Sequence, residues 1–177
     1  MPLLANFESP DTKNEEARAN ASRLLAQAFE LIQRAVTNYE LSADGYEESV
    51  DALLKKAIGK FQSASEAFQS IEVSMTRFEN GGSLSIEFPR ISFGIGPFAA
   101  RFGQVGTRRF RRSIKSEGVL IDSAVAVCRL AESSLANAGL SWESAFENHI
   151  RMALIDLSQL HAIAVALSEA FARLTKG

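Results

Sequence analysis

Cysteine is almost absent. The chain has one, Cys128, so no internal disulfide can form. It lies in the apolar stretch AVAVCRLAE, where it reads as a small core residue suited to a reducing, cytoplasmic setting. Proline and glycine are sparse, with four and eleven in 177 residues, while Ala, Leu, Ser and Glu are abundant, which is the usage of a helical protein. There is no run of about 18 apolar residues, so no transmembrane helix is expected. The opening MPLLANFESPD lacks a cationic n-region and a signal-length apolar run, so secretion by that route is not expected either.

Signatures of chemistry are also scarce. No G-x-x-x-x-G-K-[ST] occurs, and Gly94-Ile-Gly96 runs into Pro97 and Phe98, so neither phosphate-binding fingerprint is present. A carboxylate-bridged metal in a helical bundle needs Glu-x-x-His pairs. The chain has two histidines, and the positions three before His149 and His161 hold Phe146 and Ser158. Both flank an apolar seam, as boundary histidines do. No metal, cofactor or catalytic residue is expected, and the chain reads as a non-enzyme.

What is present is helical periodicity across a length that suits one domain, residues 1–177. Four helices are expected, over about 12–41, 46–79, 107–138 and 142–175, with an irregular segment at 80–106. The first opens on a capping box, TKNE from Thr12 to Glu15, and carries two adjacent stripes: Leu24, Ala28, Leu31, Ala35 and Leu25, Phe29, Ile32, Val36, Tyr39. The second alternates steps of three and four from Tyr46 through Phe61 to Phe78, and ENGG stops it. The third buries Phe110, Ile114, Ile121, Ala124, Cys128, Ala131 and Leu135. The fourth has the most regular seam: Phe146, Ile150, Ala153, Leu157, Leu160, Ala164, Leu167, Phe171 and Leu174. Short breaks between the first and second helices, and between the third and fourth, make two long helical hairpins. The expected fold is all-α, an up-down antiparallel four-helix bundle. Strand is expected only within 84–95, where LSIEF and ISFGI alternate about Pro89-Arg90, as a short β-hairpin or an ordered apolar loop at 83–97.

The charge is segregated. Net charge is −2, yet Arg101 to Lys115 carries +6, which leaves −8 for the remainder. At roughly 100° per residue, a helix through this run would place Arg108, Arg109, Arg111, Arg112 and Lys115 on one arc opposite Phe110 and Ile114. A solvated face explains that separation but not the single sign, because like charges one turn apart repel and ordinary faces mix signs. Arginine favours bidentate contact with carboxylate or phosphate. The run, with Arg101, is therefore the candidate site for an anionic partner. Phe88, Ile91, Phe93, Phe98 and Phe102 form a candidate apolar contact segment beside it. The reading is a non-enzymatic helical-bundle interaction module that self-associates and whose arginine face meets an anionic partner, such as an acidic protein surface. Nucleic acid bound through phosphates is the second reading, and a peripheral membrane protein using the Phe-rich segment the third.

Overall fold

The computed structural model describes residues 10–41, 49–71, 84–87, 91–92, 104–105, 111–114, 117–140 and 144–175. Four helices carry the fold: α1 (Pro10–Leu41), α2 (Val50–Gln69), α3 (Glu117–Leu140) and α4 (Ser144–Thr175). Helix α1 starts slightly before the capping box read at Thr12. Proline in a first turn loses nothing, since its missing N–H would have no intrahelical partner there. Helix α2 is capped by Ser49, whose Oγ accepts from the Ala52 backbone N–H at 3.1 Å. Ser49→Ala should lower stability by about 1 kcal/mol in urea denaturation, the usual worth of a serine cap.

The helices form a ring in which α1 packs on α2, α2 on α3, α3 on α4, and α4 back on α1. Their directions follow from particular contacts. The Tyr39 and Phe146 rings stack with centroids 3.9 Å apart, which joins the end of α1 to the start of α4. A Cβ placed on Gly139 would lie 3.4 Å from Asp51 Oδ1 and 3.9 Å from Leu54 Cδ1, which joins the end of α3 to the start of α2. Neighbours in the ring therefore run antiparallel. The molecule is an all-α, up-down four-helix bundle, as the periodicity predicts.

The expected stripes supply the core. Leu24, Leu25, Ala28, Ile32, Ala35 and Val36 of α1 are buried, as are Leu53, Ala57, Phe61, Ala64 and Phe68 of α2. Helix α3 contributes Ile121, Ala124, Cys128, Ala131 and Leu135, and every described seam position of α4 from Phe146 to Leu167 is buried. Alanines between large residues let the helix axes approach closely.

The structure corrects the reading in three places. Helix α2 ends at Gln69 and does not run to 79. The Ser70 hydroxyl donates to the Ala67 carbonyl at 2.7 Å, and the Ile71 N–H bonds to the Phe68 carbonyl at 3.2 Å, a tightened final turn that ends the ladder. Met75 and Phe78 lie outside the described residues. The third helix begins at Glu117, not 107, because Arg111–Ile114 is a strand. Strand is also not confined to 84–95.

Four short strands are present among the described residues: β1 (Leu84–Glu87), β2 (Ile91–Ser92), β3 (Gln104–Val105) and β4 (Arg111–Ile114). The two alternating segments do pair, though not with each other. Antiparallel β1–β4 sets Leu84 opposite Ile114 and Glu87 opposite Arg111, and β2–β3 sets Ile91 opposite Val105. The second ladder is nested inside the first, so β1 and β2 belong to one arm and β3 and β4 to the returning arm. Strands β1 and β3 run against α4, and β4 against α3. Ala162 and Ala166 point away from the α4 seam yet are 8% and 5% exposed. A covered back face is what strand packing on α4 produces.

Candidate functional site

The arginine run, expected to be helical, is strand where it is described. Arg111 and Arg112 occupy β4, opposite Glu87 and Ile86 in register. Successive strand positions alternate between faces, so these two belong to opposite faces of the ribbon and not to a single arc. Arg101, Arg108, Arg109 and Lys115 lie outside the described residues, as do Phe88, Phe93, Phe98 and Phe102; Ile91 is on β2. The structure thus mounts part of the cationic run on a ribbon that rests on α3. The pairing partners are more than twenty positions apart in the chain, beyond the reach of local periodicity.

Cys128 is fully buried, and desolvation, reinforced by the charges of Glu132 and Asp156, pushes its thiol up to about 12. A thiol held neutral in an apolar interior is a packing element, not a nucleophile. His149 is half-buried and His161 exposed, and no group of three potential metal ligands forms among the described residues. Helix α4 is long and apolar enough over Ala145–Leu167 to cross a membrane by length and composition, and most of that window is buried within the bundle.

Asp156 is the acid most affected by the fold. Burial raises its carboxyl from 3.8 to about 6. Between those values the folded state holds a proton that the unfolded chain has released, so stability falls as pH rises from about 4 to about 6 and stays lower above. The side chain is half-buried, and solvent screening reduces the penalty to on the order of 1 kcal/mol. Asp156→Asn should therefore be more stable than the parent by about that amount at neutral pH, and equal to it below about pH 4. Urea denaturation at both pH values checks this; an equal gain at both would exclude the carboxyl charge as its source.

A groove of about 250 Å³ separates α1 from α4. Ser22, Leu25, Ala26 and Phe29 form one wall, and Leu157, Ser158 and His161 the other. This is the least extensively packed pair of the ring. The walls are apolar apart from two serines and the histidine. Sequence reading placed His161 correctly at the edge of the seam but missed the groove. Its one signal is the small-residue row Ser22 and Ala26 beside the large row Leu25 and Phe29, which leaves α4 nothing bulky to pack against there.

Comparison with protein-family models, with curated proteins and with solved structures finds no match.

Proposed function

We propose that this chain is a non-enzymatic interaction module: the bundle is a rigid support that self-associates, and the returning arm of its ribbon contacts an anionic surface. The observation that supports this most directly is the β1–β4 register, in which Arg111 and Arg112, two of the six cations of the run, are extended opposite Glu87 and Ile86. On a ribbon packed against α3 and α4, Arg111 and Arg112 occupy alternate faces, and a docking surface meets the arm from the side away from the bundle.

An acidic protein surface is the favoured partner, because the rest of this chain carries −8 and exposes Glu15 and Glu16 on α1. A second copy therefore offers the complementary charge. A second reading, nucleic acid, is favoured by one feature: a two-stranded antiparallel ribbon has the width to enter a major groove, where arginine reads phosphates and base edges. The buried thiol accords with a cytoplasmic setting.

Light scattering across a salt series tests the proposal. Mass above the monomer at low salt, falling to the monomer near roughly 0.5 M salt where charges are screened within a few ångströms, is the expected result. Nucleic acid would instead appear as a salt-dependent gel shift of a duplex or single-stranded oligonucleotide. A monomer at every salt concentration that also shifts neither oligonucleotide would overturn both readings.

A further inference from the structure

We infer that the α1–α4 groove is a binding site for a small uncharged aromatic alcohol of the phenol class, whose hydroxyl donates to Ser158 and whose ring lies on Phe29 and Leu157. The site involves neither the ribbon nor its arginines.

Burial grades the groove into a floor and a rim. Leu25, Leu157 and Ser158 are 3%, 5% and 3% exposed and form the floor, whereas Ala26 and His161 are exposed and form the rim. Ser22 and Phe29 are half-buried between them. The floor is thus apolar except for one hydroxyl. Alanine is the better helix former, fills the seam positions Ala153 and Ala164 of the same helix, and has no side-chain polar atom to desolvate, so a serine here points to a use for its oxygen. A helical serine can give its proton to the carbonyl one turn back, and its oxygen then still accepts. What the floor offers is an acceptor at the bottom of an apolar trough, and the complementary ligand group is a donor.

The walls define the rest of the molecule. No Lys, Arg, Asp or Glu lines the groove, so a charged ligand would lose its hydration and gain no counter-charge. The antiparallel register that stacks Tyr39 on Phe146 sets Phe29 near the level of Leu157 and Ser22 near that of His161. Ser158 follows Leu157 on the floor, so a ring seated at the apolar end brings a hydroxyl on its edge to the serine. A flat ring fits a slot between two helices and gains an offset or edge contact with Phe29. A volume of about 250 Å³ suits one ring, because larger ligands occupy pockets of roughly 300–1000 Å³.

Nuclear magnetic resonance titration of the full chain with p-cresol tests the site, with 4-methylanisole as the control of like shape whose hydroxyl proton is replaced by methyl. p-Cresol should shift amides concentrated in 22–29 and 157–161, and should bind more tightly than 4-methylanisole by roughly threefold to tenfold, the worth of one neutral hydrogen bond. Ser158→Ala removes the acceptor and keeps the helix, so it should bring the two ligands within about twofold of each other. Ala26→Phe, at the exposed rim, should fill the trough and abolish binding of both, with an unchanged melting temperature confirming the fold. No binding of p-cresol up to about 10 mM, amide shifts centred elsewhere, equal affinity for the two ligands, or a preference for p-cresol that survives Ser158→Ala would each overturn the assignment.

Discussion

Replacing Phe61 by alanine should lower the stability of the bundle by about 3–5 kcal/mol, the cost of deleting a fully enclosed aromatic ring. Phe61 is 0% exposed on α2, the helix that packs against both α1 and α3. Removal of its ring therefore opens a cavity in the core, and close-packed neighbours relax into it only in part. Domains of this size have total stabilities of about 5–15 kcal/mol, so the loss would take a third or more of the margin. Urea denaturation measures it as a lower midpoint at constant slope. Phe61→Leu, which keeps most of the volume, should cost under about 1.5 kcal/mol. Met152→Ala, at a side chain 54% exposed, should stay within about 0.5 kcal/mol. A Phe61→Ala cost near that of Met152→Ala would mean that the bundle interior is loosely packed and that α2 does not sit between α1 and α3.

The contrast between Phe61 and Arg111 explains what could be read from the chain and what could not. Phe61 belongs to a stripe whose members are three and four residues apart, so the information that buries it is local and repeats along α2. The same holds for α4, where each described member of the predicted seam is buried. Arg111 sits in FRRSI, whose Phe110 and Ile114 are four apart and whose arginines are good helix formers, so local spacing supports a helix. What overrides it is the pairing with Leu84–Glu87, a nonlocal term that local propensity does not contain. The alternation in LSIEF and ISFGI signalled strand correctly but not the partner, because period two fixes the face of a residue and leaves its neighbour open. Burial of Ala162 and Ala166 has a visible cause in HAIAVAL, which is apolar around nearly the whole helix after His161, as a helix covered on more than one side must be. The α1–α4 groove had no comparable signal, since it depends on the distance between two helices and not on either one alone.

Charge reversal of Arg111 and Arg112 together should weaken self-association or anion binding by roughly tenfold per residue, about a hundredfold in all, if the returning arm is the contact surface. These two are chosen because β4 places them, whereas a helical arc would have paired Arg108 with Arg112. Glutamate at 111 would stand opposite Glu87, and like charges directly across a ladder are destabilising, so reversal alone could act by loosening the ribbon. The neutral pair Arg111→Gln and Arg112→Gln separates the two effects: it keeps the ladder free of repulsion and still removes two of the six cations. If the partner is a second copy, the neutral pair should shift the concentration midpoint of assembly by roughly tenfold and flatten its salt dependence. If the partner is nucleic acid, the slope of log affinity against log salt should fall by about 1.8, close to 0.9 for each phosphate no longer neutralised, and equally for unrelated sequences. In both cases the helical circular dichroism should be unchanged, because the ribbon lies outside the core that α1 to α4 form. A neutral pair that assembles, binds anions and melts as the parent does would show that these arginines face only water, and the unbalanced sign of the run would then have no binding role.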